Sequence, residues 1–236
     1  MQRFDLSTLD WTLEGWLPQA WRLSQSMEID HASRPQIAAI PAAVPGSVQL
    51  ALLEAGLIDD WNQGLNSLKL EWIEHRHWEF SAWLPAEWTA VNHPVQLNAQ
   101  GLDHQGAILI NQTLVAEFAG SLKPHRFDLP PFLQKDRPTR LPIILTGAPD
   151  EPGQVGFTSR SRHFTPRFVY QWDWCPRLVT LGVWDRLELE AGGGPVLRGV
   201  QPAARLVDGD DAGQLAVQAR LWRATPASVR LEASLT

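Results

Sequence analysis

Cysteine is almost missing from this sequence: Cys175 is the only one in 236 residues. An intrachain disulfide and a cysteine-built metal cluster are therefore excluded, and a reducing, cytoplasmic setting is the expectation. Runs of about 18 uninterrupted apolar residues are also missing, and Met1–Asp10 alternates without the apolar stretch of a secretory leader. Neither membrane insertion nor export is predicted. Positive charge is thin: 20 Lys and Arg face 26 Asp and Glu, a net charge of -6, with no basic run to neutralise successive phosphates. Nucleic acid is thus not an expected partner. There is no Gly-x-Ser-x-Gly, and Cys175 sits between Trp174 and Pro176 with no adjacent base, so nucleophilic catalysis has no foothold and no catalytic residue is assigned. Gly193 and its neighbours lack the following Lys and helix of a phosphate loop. His75 and His77, two apart, would share one face of a strand, but no third ligand is spaced to complete a zinc site. No metal and no cofactor are expected.

Tryptophan is abundant, 12 residues against a single tyrosine. Its flat apolar face with one N–H suits sheet cores and sugar-stacking subsites alike, and roughly three quarters of these indoles are expected in the core. Short strand-like stretches separated by Pro, Gly, Asn and Asp run through the chain, while long amphipathic helical windows are nearly absent. Val95–Ala99 and Glu188–Ala191 alternate apolar and polar, predicting one packed and one wet face. Ile108–Ile110 and Leu114–Ala116 flank Asn111-Gln112-Thr113 like hairpin arms. His77–Leu84, Leu141–Thr146 and Leu178–Leu181 complete the strand count of an all-β sandwich or jelly roll. One short helix is expected, capped by Ser47 and stopped at Gly56, with Leu50, Leu53 and Leu57 near one face.

Ala191-Gly192-Gly193-Gly194-Pro195 marks a domain boundary. Beyond it, Val196–Val200, Gln214–Trp222 and Val229–Leu235 read as strands around an Asp208–Asp211 turn, too few to bury one another. The expectation is a second sandwich only begun within this sequence, whose open edges favour self-association. Asp150–Thr165, rich in Gly, Ser and Arg, is the longest expected loop.

The densest local signal is Tyr170-Gln171-Trp172-Asp173-Trp174-Cys175-Pro176-Arg177-Leu178. A carboxylate beside two indoles can accept two sugar hydroxyls while the rings cover apolar C–H surface. The same pattern also serves a buried Asp that ties down a turn before Pro176. The residues alone leave both readings open.

Four blocks resemble the N-terminal region of β-mannosidases in glycoside hydrolase family 2, and they occur in family order over most of residues 1–191. They are Val44–Ile58; Asn66 with Glu71–Trp78; Gly101–Asp103 through Ile110-Asn111 to Pro124–Leu129; and Trp172–Leu178 with Gly182–Trp184. The resemblance implies a galactose-binding-like jelly-roll sugar-binding domain over 1–191. Residues 192–236 would then be a linker and the truncated start of an immunoglobulin-like sandwich. A TIM barrel with two catalytic Glu would lie outside this sequence. It further implies removal of terminal β-D-mannose from mannosides, with the jelly roll lending residues to the barrel's sugar pocket. By motif, Asp173 with Trp172 and Trp174 would approach the sugar hydroxyls, and Asn66 and Trp72 would belong to the rim. The expected partners are a carbohydrate and that barrel, and the segment alone should not hydrolyse anything. A free-standing carbohydrate-binding module and a family 2 β-galactosidase- or β-glucuronidase-like fragment are the alternatives. Two departures from the family stand out. Cys175 replaces an expected Gly, which would strain a positive φ there, and Asn111-Gln112 replaces the usual Asn-Gly. Arg177 and Arg126 could contact sugar, but are read first as structural arginines that pin carboxylates.

Overall fold

The computed structural model describes residues 2–24, 33–89, 95–129, 133, 138–151, 162–192, 195–207 and 212–222. The predicted strand Val229–Leu235, the Asp208–Asp211 turn, Gly193 with Gly194, and most of the Asp150–Thr165 loop lie outside them. Short apolar runs broken by turn residues give fifteen strands among the described residues. In chain order they are β1 (Gln2–Asp5), β2 (Trp11–Trp16), β3 (Ile37–Ala42), β4 (Gly46–Ser47), β5 (His77–Leu84), β6 (Val95–Ala99), β7 (Leu102–Asp103), β8 (Gln105–Ile110), β9 (Thr113–Ala119), β10 (His125–Asp128), β11 (Thr139–Leu145), β12 (Gly182–Val183), β13 (Leu187–Ala191), β14 (Val196–Val207) and β15 (Ala212–Trp222).

These form an antiparallel four-stranded sheet, β1-β13-β6-β10, and a six-stranded sheet, β3-β2-β5-β11-β8-β9. One continuous apolar cluster joins their facing sides, with Leu97 and Leu189 from the first sheet meeting Leu13, Phe80, Ile108 and Ile143 from the second. The result is the all-β sandwich that the alternation predicts. A small third sheet runs β4-β12-β7, and among the described residues β14 and β15 pair only with each other. No helix among the described residues is long and apolar enough to cross a membrane.

The predicted hairpin is β8–β9, with Asn111 at φ 55, a left-handed conformation that Asn tolerates. The predicted helix is α1 (Val48–Glu54): Ser47 Oγ accepts from Leu50 N at 3.1 Å, and Gly56 follows at φ 69. Its buried face differs from the expected one. Val48, Ala51 and Leu52 are inside, whereas Leu50 and Leu57 are exposed, because the helix packs on its Val48 side against the segment before β12. That packing also explains why Leu178–Leu181 forms no strand. Its backbone groups are taken by the helix: Val48 N donates to Leu181 O, Gln49 Nε2 donates to Val179 O at 2.7 Å, and Leu181 N donates to Gln49 Oε1. Among the described residues, the helical segments beyond the predicted one are a single turn, α2 (Ala86–Thr89), and several 3-10 turns.

The wet face expected on β6 is buried, and that on β13 is buried at Glu190 and only partly exposed at Glu188. Gln96, Asn98 and Glu190 are all buried. Gln96 Nε2 donates to Asp128 Oδ1 at 2.9 Å and Glu190 pairs with Arg3 at 3.1 Å. The β14–β15 hairpin lies over this side, Gln201 and Gln218 facing Gln96 across a cavity of about 540 Å³.

On the outer face of the six-stranded sheet, Trp21 is held down by a hydrogen bond from its Nε1 to His77 Nδ1 at 2.9 Å, so His77 is neutral and protonated on Nε2. Burial, then the charge of Arg22, lowers the His77 pKa below 6.5. The unfolded chain therefore binds a proton at this site at a higher pH than the native chain does. The stabilisation is complete above pH 6.5 and declines as pH falls toward the native value. Comparing urea melts of wild type with His77→Gln, which keeps an acceptor for Trp21 but does not titrate, isolates the effect. The wild-type advantage is expected to shrink from pH 7.5 to 5.5. An advantage that is constant or grows with acid would contradict this assignment.

Candidate functional site

The Trp-Asp-Trp run lies in a loop that begins at the 3-10 turn Phe168–Tyr170 and is closed at its neck by Leu178 N donating to Val169 O at 2.9 Å. Trp172 and Cys175 exchange two backbone hydrogen bonds of 3.2 and 3.0 Å, placing Asp173 and Trp174 at the tip of a tight turn. The two indoles pack on each other, ring centroids 4.5 Å apart at 52°, so they do not enclose the carboxylate between them. Asp173 is exposed, and among the described residues its carboxylate has no hydrogen-bond or ion-pair partner. The alternative of a buried Asp tying down the turn is overturned: the turn is closed by backbone alone.

Asn66 opens a separate 3-10 turn and spends its amide internally. Nδ2 donates to Asp60 O and Oδ1 accepts from Lys69 Nζ, both at 3.0 Å. With Trp72, Asp59 and Lys69 it lines a cavity of about 220 Å³ that includes no residue of the Trp172–Cys175 turn. Trp72 rests on the fully buried Trp78 at 6.0 Å and shows its other face to solvent. His75 and His77 do not share a strand face. His75 closes the 3-10 helix Glu71–His75, and β5 begins only at His77.

What joins the two regions is an ion pair. Arg177 donates from Nε to Glu74 Oε1 at 2.9 Å and from Nη2 to Glu74 Oε2 at 2.7 Å. This is the carboxylate-pinning role read for Arg177, and it binds the neck of the Asp173 loop to the turn that carries Trp72. The Arg177 guanidinium also lies 5.2 Å from the centre of the Tyr170 ring. Burial first, then the nearby Asp103 and Glu74 charges, raises the Tyr170 pKa, so its hydroxyl stays protonated and donates to Pro149 O at 2.8 Å.

Residues 21–185, well over half the chain, match the family model described as glycosyl hydrolase 2 galactose-binding domain-like. The chain belongs to that family. It is 26% identical over 182 residues to β-mannosidase B of Thermothelomyces thermophilus, covering 71% of this chain and 21% of that protein. Its fold is similar to that of a β-D-mannosidase from Dictyoglomus thermophilum, with TM-score 0.68 and 21% identity over 94% of this chain and 26% of the other. It is also similar to a β-glucuronidase from Parabacteroides merdae, with TM-score 0.58 and 13% identity over 94% and 25% of the two chains. The chain spans about a fifth of the length of the curated relatives it matches.

Within this family 2 domain the Cys175 departure costs nothing. The positive-φ residue of the loop is Gln171, at φ 102, and Cys175 is not at positive φ, so no glycine is required there. The expected three-quarter share of core indoles is too high. Trp11, Trp16, Trp21 and Trp78 are buried, whereas Trp72, Trp83, Trp172, Trp174 and Trp184 are exposed. Phe164 and Phe168, which sequence reasoning passed over, are exposed on the approach to the Asp173 loop at 78% and 53%. The density of large aromatics, Phe164, Phe168, Trp172 and Trp174 in one segment, was the available signal, and their exposure required the structure.

Proposed function

We propose that this chain is the N-terminal, non-catalytic part of a longer β-mannosidase-like glycosidase. In this reading Asp173, Trp172 and Trp174 reach into the sugar pocket of a catalytic barrel formed by the rest of that polypeptide. The observation that carries it is the exposed carboxylate of Asp173, without a partner among the described residues, at the tip of a backbone-closed turn beside two exposed indoles. A carboxylate accepts hydrogen bonds from sugar hydroxyls that are short and strong, and the rings supply the apolar surface that sugar C–H faces seek. The exposed aromatics from Phe164 to Trp174 are the surface on which the barrel docks. Trp72 belongs to the rim, and Asn66, whose amide is satisfied internally, shapes it from behind.

The boundary near residue 192 is part of the same proposal. In β15, Leu215, Val217 and Leu221 alternate with Gln214, Gln218 and Arg220, and all three apolar side chains are exposed. An apolar row left uncovered on a two-stranded sheet suits the start of an immunoglobulin-like sandwich that continues in the longer polypeptide.

This segment by itself is expected to be inert. Retaining hydrolysis needs two carboxyl groups about 5 Å apart across the glycosidic bond. The acid at the neck of this loop, Glu74, is already held by Arg177 at both oxygens. The test is release of nitrophenol from β-mannoside, β-glucuronide and β-galactoside by this chain and by the longer polypeptide. The expected result is no turnover by the chain and preference of the longer protein for the mannoside. Turnover by the chain alone, or preference for the glucuronide or galactoside, would overturn the reading.

A further inference from the structure

The Trp172–Cys175 turn has few ties of its own. Among the described residues every hydrogen bond of residues 171–176 stays within the loop: Gln171 N to Phe168 O and the Trp172–Cys175 pair. Its orientation is therefore inherited from its neck. There a closed circuit of contacts runs from Arg177 to Glu74 through the bidentate pair, and from Glu74 O to Ala148 N at 3.0 Å. It continues along the chain to Pro149, from Pro149 O to the Tyr170 hydroxyl at 2.8 Å, and from the Tyr170 ring back to Arg177 at 5.2 Å. Glu74 occupies two links of this circuit, one through its side chain and one through its backbone. Its side chain is 5% exposed and that of Arg177 24%, so solvent screens the pair only weakly. The crevice between Leu70, Glu71 and Glu74 on one side and Arg177, Leu178 and Val179 on the other has no room for a water molecule.

We infer that Glu74 is the positioning residue of the Asp173 turn: through Arg177 it fixes the neck of the loop and so sets where the Asp173 carboxylate and the two indoles stand relative to the Trp72 side of the domain. The functional half of this inference rests on the proposed role of Asp173. The structural half does not. With Glu74 neutralised, Arg177 loses its bidentate partner and keeps only the weaker contact with the Tyr170 ring, and the turn gains freedom about the two segments of its neck. A contact that must be held within a fraction of an ångström is degraded by such freedom even though every sugar-facing group remains present.

Two readouts separate the halves. In this chain, amide hydrogen exchange at Trp172 and Cys175 is expected to be about tenfold faster in Glu74→Gln than in wild type, with β5 and β11 unchanged, because only the local opening becomes easier. In the longer polypeptide, Glu74→Gln is expected to lower kcat/KM for a β-mannoside about tenfold on its own and less than about twofold in an Asp173→Ala background, since a group acting through Asp173 has nothing left to act on. Arg177→Lys keeps the charge but cannot bridge both carboxylate oxygens. It is expected to show the same pattern in milder form, and it carries the test if Glu74→Gln does not fold. Unchanged exchange at Trp172 and Cys175 in both variants overturns the inference, whatever the kinetics. Losses in kcat/KM that multiply in the double variant overturn its functional half and leave Glu74 as a stabilising contact. Faster exchange together with a silent Asp173→Ala would overturn the proposed sugar contact while leaving the positioning of the turn intact.

Discussion

Gly106→Ala is expected to destabilise the sandwich by more than about 3 kcal/mol, a large share of what a domain of this size has to lose. Gly106 lies in β8 opposite Leu145 of β11 and Phe118 of β9, in the interior of the six-stranded sheet. A methyl group there would sit 1.7 Å from the carbonyl oxygen of Ile144 and 2.9 Å from the ring of Phe118. The ring can turn aside; the carbonyl cannot without opening the β8–β11 ladder. The strands part, their hydrogen bonds stretch, and the core contacts of Ile108 and Ile143 on either side loosen together. Gly213→Ala is the matched control. It lies in β15 with its nearest foreign atom, Arg205 O, 3.9 Å from the added carbon, an ordinary contact, and is expected to shift stability by less than about 0.5 kcal/mol. Urea melts followed by tryptophan fluorescence check both. A Gly106→Ala midpoint equal to wild type would mean that β8 and β11 are not packed as described.

Much of this fold is legible in the sequence because period-two alternation and turn residues are local signals. The β8–β9 hairpin, β5, β11 and the Ser47 cap follow from neighbours within a few positions. What the sequence conceals is what lies over an element. Val95–Ala99 alternates as a half-wet strand should, yet Gln96 and Asn98 are buried, because burial there depends on partners some thirty and a hundred residues away. Likewise α1 turns its Val48 side inward because the segment before β12 docks on Gln49, a contact spanning about 130 residues that no helical periodicity encodes. Leu178–Leu181 has strand composition but gives its backbone groups to that helix. His75 and His77 are spaced like strand neighbours, but a 3-10 helix ends between them.

At the candidate site the same division holds. The Trp172-Asp173-Trp174 run could be singled out by residue type, since a carboxylate beside two indoles suits both the hydroxyls and the C–H faces of a sugar. Whether Asp173 was buried or free could not be read, because the distinction rests on the backbone bonds between Trp172 and Cys175. That Arg177 pins a carboxylate followed from the chemistry of arginine. That the carboxylate is Glu74, about a hundred residues earlier, required the packed structure.

Asp173→Ala in the longer polypeptide is expected to lower kcat/KM for a β-mannoside by about one to two orders of magnitude. Hydrogen bonds between a charged acceptor and hydroxyl groups are worth about 1.5–3 kcal/mol, and each 1.4 kcal/mol is about a tenfold change in rate. The substitution should leave folding alone, because Asp173 is exposed, without a partner among the described residues, and outside the bonds that close its turn. The measurement is steady-state hydrolysis of nitrophenyl β-mannoside by the longer polypeptide, wild type against Asp173→Ala, with Asp10→Ala, another exposed acid, as control. The account predicts a loss of tenfold or more for Asp173→Ala at an unchanged melting temperature, and wild-type kinetics for Asp10→Ala. Wild-type kinetics in Asp173→Ala would contradict it, and would leave this domain a scaffold that does not touch the sugar.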